Sequence, residues 1–247
     1  MIEVKNLSKS FDDKNVLSNI NIVFKEGMPN LIIGSSGSGK TTLIKCMVGL
    51  HNVDAGEILY DNRDFTVLNF KERIPIRKEI GMLFQGGALF DSMTVEQNIM
   101  FPLNMFSDMS LSEKKDRVAF CLKRVNLGDI QKLAPSEISG GMKKRVGIAR
   151  AIAMQPKYLF CDEPNSGLDP KTSIVIDNLI KEITEEYNIT TIVNTHDMNS
   201  VMEIGEHIIF LHNGEKCWEG SSEEIRKTDN KEVNDFVFAS KFMKLHH

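Results

Sequence analysis

Apolar and polar residues alternate through the first 30 residues of the chain, a pattern typical of β-strands with one buried face. The apolar positions are Ile2, Val4, Leu7, Val16, Ile20, Ile22 and Phe24. A second strand pair is predicted around Asp61-Asn62, a dipeptide that favours a tight turn. The pattern therefore predicts a small antiparallel sheet beside a glycine-rich loop at residues 34–42.

Helical periodicity begins at about residue 88 and continues to about residue 145. Ser110 and Glu113 form a capping box ahead of an amphipathic segment. Farther along, Asp169-Pro170 predicts the start of another helix, with the aspartate as N-cap and the proline in the first turn. These segments predict a helical lobe at residues 88–145 and a further helix in the second half of the chain.

Short apolar runs at residues 158–161 and 190–194 predict buried strands, and Asn213-Gly214 predicts a β-hairpin. Strands and helices that alternate in this way are typical of the α/β class. We therefore expect one domain with three parts. A core with its β lobe takes up residues 1–87 and 146–220, the helical lobe residues 88–145, and a helical tail residues 221–247.

The glycine-rich stretch has the pattern G-x-x-x-x-G-K-T between a strand and a helix. It consists of Gly34, Ser35, Ser36, Gly37, Ser38, Gly39, Lys40, Thr41 and Thr42. Glycines permit positive φ, and successive N–H groups ahead of a helix form a nest for anions. Lys40 supplies positive charge for terminal phosphates, and Thr41 offers a hydroxyl to Mg²⁺. A flexible Gly/Ser turn is the alternative, but the position favours binding of a nucleoside triphosphate.

Composition limits the classes of function. The net charge of −4 argues against a nucleic-acid partner held by electrostatic attraction. The four cysteines lie far apart without a C-x-x-C pair, which indicates core residues rather than disulfides or a metal site. A secretory signal pattern is not visible at the N-terminus, and no apolar run is long enough to span a membrane. We therefore expect a cytoplasmic protein.

A second loop of small residues, Ser139-Gly140-Gly141, precedes a basic helical segment. It could form another phosphate site at a helix N-terminus, or it could be an ordinary N-cap followed by a solvated helix face. Asp162-Glu163 then follows an apolar strand. Taken alone, this acidic pair is also consistent with a solvated strand end.

In this order, the stretches resemble the motifs of the ATP-binding cassette (ABC) ATPases over essentially the whole chain. The matches are residues 34–42 for the Walker A loop, Gln85 for the Q-loop, residues 138–142 for the signature, residues 158–163 for Walker B, residues 166–169 for the D-loop and His196 for the H-loop. The resemblance implies a P-loop NTPase (RecA-like) core, an antiparallel β lobe and an inserted α-helical signature lobe. It also implies ATP hydrolysis with ATP and Mg²⁺ as cofactors.

The resemblance assigns roles in catalysis and metal binding. Thr41 and Gln85 would ligate Mg²⁺, and Asp162 would reach it through water. Glu163 would be the general base, and His196 would contact the γ-phosphate. On its residues alone, His196 is also consistent with a neighbour of a helix N-cap.

Further residues would bind the nucleotide. Phe11 and Val16 would lie at the adenine. Ser139, Gly140 and Gly141 would contact the γ-phosphate from a second copy of the chain, so the resemblance implies a homodimer. Asp169 would join them, although a helix cap already explains it.

Two features are similar to one branch of the family, the ATPases of lipid transporters of the maintenance-of-lipid-asymmetry (Mla) type. One is the sequence GMLFQGGALF at residues 81–90, and the other is Met142 in place of the usual signature glutamine. This implies that an integral-membrane permease holds the protein at the cytoplasmic face of the inner membrane, and indirectly that a lipid-binding protein of the mammalian-cell-entry (MCE) family takes part. The alternatives are a polar-solute importer, a cell-division-type system or a non-transport ABC protein.

Methionines and phenylalanines are concentrated at residues 82–109. Such adaptable side chains suit a groove that receives a partner helix. In the family, that partner is a cytoplasmic helix of the permease. Packing inside the helical lobe is the alternative for part of this set.

Overall fold

The computed structural model describes residues 1–12 and 14–237. The strands are β1 (Ile2–Phe11), β2 (Lys14–Phe24), β3 (Pro29–Ile33), β4 (Ala55–Tyr60), β5 (Arg63–Asp64), β6 (Ile80–Leu83), β7 (Tyr158–Asp162), β8 (Thr190–Asn194), β9 (His207–His212) and β10 (Glu215–Gly220). The helices are α1 (Lys40–Met47), α2 (Ile74–Lys78), α3 (Val95–Phe106), α4 (Leu111–Arg124), α5 (Gly140–Ile152), α6 (Pro170–Glu186), α7 (Met198–Ile204), α8 (Ser222–Ile225) and α9 (Lys231–Val237).

The strands form two sheets. The smaller sheet is antiparallel with the order β2-β1-β4-β5, as the alternating N-terminal pattern predicted. The larger sheet has the order β10-β9-β3-β8-β7-β6. Its strands from β9 to β6 are parallel, and β10 pairs antiparallel with β9 through the predicted Asn213-Gly214 hairpin.

Both faces of the larger sheet are buried, as is usual for parallel strands. Leu31 and Ile33 of β3 belong to a core that also holds apolar residues of α3, α4, α5 and α6. Ile32 belongs to a second core between this sheet, α1 and the smaller sheet. Successive side chains of β3 point to opposite faces of the sheet, so this one strand contributes to both cores.

The helical lobe contains α3, α4 and the first part of α5. The capping box of α4 is confirmed, because the Ser110 hydroxyl accepts from the Glu113 amide at 3.3 Å and the Glu113 carboxylate accepts from the Ser110 amide at 2.7 Å. Helix α3 starts at Val95 rather than near residue 88, since a loop follows β6. Helix α5 crosses the predicted lobe boundary at residue 145, so the signature loop is continuous with a core helix.

The C-terminal part of the described chain packs against the larger sheet. Val233 and Val237 of α9 are buried, and the Phe236 ring lies 5.3 Å from that of Phe210, measured between centroids. The rest of the predicted tail, residues 238–247, lies outside the described residues. Within the described residues, none of the helices combines the length and the apolarity needed to span a membrane.

Candidate nucleotide-binding site

A cleft of about 910 Å³ lies where β3, β6, β7 and β8 end. Eight of its lining residues come from the glycine-rich loop at residues 34–42. The other lining residues are Lys14, Asn15, Val16, Gln85, Glu163, Asn194, His196, Asn213, Gly214 and Phe236. In open α/β sheets, ligands bind in the crevice outside the carboxyl ends of the strands. The position of the cleft follows that rule.

The backbone of the glycine-rich loop requires glycine at specific positions. Gly34 and Gly39 have φ of 147° and 103°, which side chains rarely permit. A Cβ on Gly34 would lie 2.2 Å from the Leu211 carbonyl oxygen. Helix α1 begins at Lys40, so the loop leads directly into a helix N-terminus with unpaired N–H groups.

The ammonium group of Lys40 is held over this loop. It donates to the carbonyl oxygens of Gly34 and Ser35 at 2.8 and 3.0 Å. Burial lowers the pKa of Lys40, and the nearby carboxylates of Glu163 and Asp162 oppose that shift. The loop therefore combines one fixed positive charge with a concave row of backbone donors, an arrangement that binds phosphate.

The polar groups beside Lys40 fit Mg²⁺. Among the described residues, no three His, Cys, Asp or Glu side chains form a group that could hold a metal ion. Mg²⁺ instead typically takes one or two protein oxygens together with phosphate oxygens and water. The Thr41 hydroxyl and the Asp162 carboxylate both lie within hydrogen-bond distance of the Asn194 amide, and the Asn194 Oδ1 is buried without a partner. Gln85 supplies another oxygen at the cleft.

Glu163 lies at the end of β7 in a left-handed backbone conformation, with φ of 50°. Its amide donates to the Asn194 carbonyl oxygen at 2.9 Å, and its own carbonyl oxygen accepts from Lys144 Nζ at 3.2 Å. The Glu163 carboxylate lies 2.8 Å from Nδ1 of His196, whose side chain is 69% exposed. These contacts fix a carboxylate at the cleft wall, in reach of a water molecule.

The structure does not bring Phe11 into the cleft. Its ring packs edge-on against His51, with centroids 5.1 Å apart, and the Lys9 ammonium lies over it at 5.2 Å. Val16 and Asn15 line the cleft instead. The role of Phe11 in adenine binding stays a prediction.

Sequence reasoning missed several residues of this region, among them Asn194, Phe236 and Lys144. Asn194 and Phe236 line the cleft, and Lys144 contacts Glu163 from α5. A polar residue at the end of a segment predicted to be a buried strand was an available signal that Asn194 lies at the cleft. Lys144 gave no such signal, because it lies in a run of basic residues that is typical of a solvated face.

The signature residues lie away from the cleft of their own chain. Ser139 caps α5, where its hydroxyl accepts from the Met142 amide at 3.3 Å, and Ser139 and Gly140 are exposed. Asp169 caps α6 and accepts from the Thr172 amide at 3.0 Å. A Cβ on Gly141 would lie 2.8 Å from Thr172, so the signature loop packs closely on the start of α6.

Comparison with known proteins adds independent evidence. Residues 17–166 match the sequence profile of the ABC transporter family. The chain is 38% identical to the intermembrane phospholipid transport system ATP-binding protein MlaF of Haemophilus influenzae, over 96% of this chain and 90% of that protein. It is 42% identical to the methionine import ATP-binding protein MetN of Clostridium tetani, over 85% of this chain and 66% of that protein.

Solved structures are similar over most of the chain. The fold superposes on CbiO1 from Clostridium perfringens, part of an ABC transporter complex, with a TM-score of 0.86 at 29% identity, covering 100% of this chain and 98% of that one. It also resembles a dimeric ATP-binding cassette, MJ0796, in a post-hydrolysis state bound to ADP and Pi. That comparison gives a TM-score of 0.81 at 35% identity and covers 90% of this chain and 99% of that one.

A glycine-rich loop at the end of β3, followed by Lys40 and Thr41 at the start of α1, defines a P-loop nucleoside triphosphatase. The family profile and the relatives narrow this class further. The chain belongs to the ABC transporter family, as its motifs predicted, and is an ATP hydrolase that uses ATP with Mg²⁺.

Proposed function

We propose that this ABC transporter ATPase drives phospholipid transport, as a homodimer bound to a separate permease at the cytoplasmic face of the inner membrane. The observation that carries the proposal is the similarity to the phospholipid system protein MlaF, which extends over 96% of the chain. The sequence at residues 81–90 and Met142 also support this branch. An MCE-type lipid-binding protein would take part indirectly, through the permease.

In the proposed mechanism, the loop amides and Lys40 bind the β- and γ-phosphates of ATP. Thr41 and Gln85 would offer oxygens to Mg²⁺, and Asp162 would reach it through a water molecule. When bound, Mg²⁺ would supply positive charge to offset the charge that develops on the phosphate oxygens. The chain itself contributes position and electrostatic stabilisation, which account for most of the catalysis of phosphoryl transfer.

Glu163 is the proposed general base. Its carboxylate orients the attacking water and takes a proton from it. Nδ1 of His196 lies 2.8 Å from this carboxylate, and His196 lines the cleft, where it would contact the γ-phosphate. The backbone contacts of Glu163 keep the carboxylate in place while the water attacks.

The exposed signature residues support a site shared between two copies. Ser139 and Gly140 have no place in the cleft of their own chain, yet they lie at the N-terminus of α5, where anions bind. In the proposal, Ser139, Gly140 and Gly141 of one copy contact the γ-phosphate held by Lys40 of the other. Asp169 lies near the same interface. Hydrolysis would remove that contact and reopen the dimer.

An apolar groove of about 410 Å³ is the proposed permease site. Its aromatic residues include Phe84, Phe90 and Phe106, which are 40%, 42% and 45% exposed. Exposed phenylalanines grouped in a concave surface are typical of a site that binds a helix. Phe84 directly precedes Gln85, so a groove residue and a proposed metal ligand are neighbours in the sequence.

Arg150 links this groove to the signature helix. Its guanidinium donates to the carbonyl oxygens of Gly87 and Ala88, both at 2.8 Å, and lies over the Phe90 ring at 5.9 Å. Gly147 permits α5 to pack closely against β6, because a Cβ on Gly147 would lie 2.7 Å from the Leu83 side chain. A partner that binds in the groove would therefore change the position of α5, and with it the position of Ser139 at the start of that helix.

Purification of the tagged chain from native membranes tests the proposal. We expect a permease and an MCE-type protein to co-purify and to be identified by mass spectrometry. A methionine-type permease would instead support the second candidate, import of a polar solute, which the 42% identity to MetN favours. A chain that captures no permease would contradict both.

A matched pair of variants tests the groove. Phe84→Asp places a charge in the groove and should abolish capture of the permease. Phe120→Asp on α4 changes another exposed phenylalanine, 43% exposed, and should leave capture intact. Equal capture by both variants would place the permease elsewhere.

A further inference from the structure

Asn194 is a buried polar residue that directly follows Ile192 and Val193 in β8. It is the last residue of β8 and is only 1% exposed. Its strand neighbours are Asp162 of β7 on one side and Ile32 of β3 on the other. The residue therefore lies between the Walker B strand and the strand that leads into the glycine-rich loop, and its side chain lines the cleft.

The side chain of Asn194 contacts both proposed metal residues. Nδ2 donates to Asp162 Oδ1 at 2.5 Å and to Thr41 Oγ1 at 3.5 Å. An ionised carboxylate only accepts, so the amide nitrogen must face Asp162. Oδ1 of Asn194 then points away from the carboxylate, and it is buried without a hydrogen-bond partner among the described residues.

We infer that Asn194 is a positioning residue for the Mg²⁺ site, holding Asp162 and Thr41 in register and offering its free Oδ1 to a metal-bound water. The inference rests on the proposed metal roles of these two residues. A hydrogen bond from an amide fixes the orientation of the carboxylate. An acceptor that is left over in a buried polar site needs a donor such as water.

Replacing Asn194 should therefore weaken metal binding specifically. Removing an outer-shell partner of a metal site typically weakens metal binding about 10- to 100-fold. Loss of the Asn194 amide leaves the loop amides and Lys40 unchanged. Binding of the nucleotide without metal should therefore persist, and this separates positioning of the metal site from a general structural role.

The experiment compares Asn194→Val with Thr190→Val. Thr190 is at the other end of β8, is equally buried and has no hydrogen-bond partner for its hydroxyl among the described residues. The dissociation constant of Mn²⁺ is measured by EPR titration of the protein with a non-hydrolysable ATP analogue. We expect it to rise about tenfold in Asn194→Val and to stay unchanged in Thr190→Val.

Two further measurements accompany it. A fluorescent ATP analogue in EDTA should bind Asn194→Val within about twofold of the wild type, and the Mg²⁺ concentration for half-maximal ATPase activity should rise about tenfold. Asn194→Ser, which places a hydroxyl donor and acceptor at this position, should recover part of the Mn²⁺ affinity. This smaller change decides the question if the valine variant does not fold.

Thr41→Ala separates failure of the inference from failure of the metal assignment. If Thr41→Ala weakens Mn²⁺ binding while both Asn194 variants bind it normally, Asn194 does not position the site. If neither Thr41→Ala nor Asn194→Val alters Mn²⁺ affinity, the metal assignment is wrong and the inference with it. An equal loss of Mn²⁺ affinity in Asn194→Val and Thr190→Val would also overturn the inference.

Discussion

Nδ1 of His196 lies 2.8 Å from a carboxylate oxygen of Glu163, although the two residues come from the ends of different strands. Because an ionised carboxylate accepts, the proton of a neutral imidazole resides on Nδ1. The pair joins the end of β7 to the loop that follows β8. A substitution of either residue should therefore alter the position of the carboxylate that is proposed to orient the attacking water.

Glu163→Gln is expected to keep ATP binding and to lower turnover at least ~100-fold, within the range for loss of a general base. The amide cannot take a proton from water, but it still fits the space and can contact His196. Steady-state ATPase assays and a nucleotide-binding titration measure the two effects. Near-normal turnover would remove Glu163 from this role.

Lys144→Met is expected to reduce kcat about tenfold while nucleotide affinity stays the same, because small displacements of a catalytic group have large effects on rate. Lys144 is buried, and its ammonium holds the backbone of Glu163. Burial lowers the pKa of Lys144. Lys143→Met, at the adjacent half-buried position, serves as the control and should retain normal kcat.

Ser139→Arg is expected to abolish hydrolysis and to leave nucleotide binding by the monomer intact. The exposed serine lies outside the cleft of its own chain, so the bulky side chain obstructs only the contact with a second copy. Size-exclusion chromatography with ATP should show loss of the dimer. If the monomer also loses nucleotide binding, the shared site is wrong.

Asp177 on α6 predicts a pH-dependent contribution to stability. Burial raises its pKa from 3.8 to about 6, although Asn165 donates to it at 2.8 Å. The folded state therefore holds the proton more tightly than the unfolded state. The stabilisation from this group is complete below pH 4 and is lost as the pH rises through 6.

Asp177→Asn removes this dependence. The free energy of unfolding of the variant, relative to the wild type, should increase between pH 4 and pH 7 by up to about 3 kcal/mol. Urea denaturation at several pH values measures the difference. A difference that stays constant over this range would show that Asp177 titrates normally.

Gly34→Ala is expected to weaken ATP binding about 100-fold, since the added Cβ would lie 2.2 Å from the Leu211 carbonyl oxygen and must displace the loop. Gly37→Ala is the matched change in the same loop. A Cβ there meets nothing within 4 Å, so only left-handed strain of about 1 kcal/mol remains. Equal losses in the two variants would contradict the steric argument.

The sequence predicted the elements whose signals are local. The capping box at Ser110, the cap at Asp169 and the Asn213-Gly214 turn each depend on residues within a few positions, and all three are found in the structure. The glycine-rich loop is also a local pattern. Its place at the carboxyl edge of a parallel sheet follows from the same short stretch.

Features that depend on neighbouring strands could not be predicted in this way. Asn194 contacts Asp162 and Thr41 because β8 lies between β7 and β3, an order that no single segment encodes. Phe11 illustrates the reverse. Its position along the chain matches the family pattern, but its ring contacts His51 and Lys9 and is not part of the cleft lining.

Helix α5 has thirteen residues and is therefore about 20 Å long. Near one end Arg150 is bound to the loop after β6, and at the other end is Ser139. A helix of this length behaves as a rigid rod, so a shift of one end becomes a shift or tilt of the other. Any force that a neighbouring subunit applied beside Phe90 would thus be transmitted along the helix to Ser139, the proposed phosphate contact, without passing through the nucleotide.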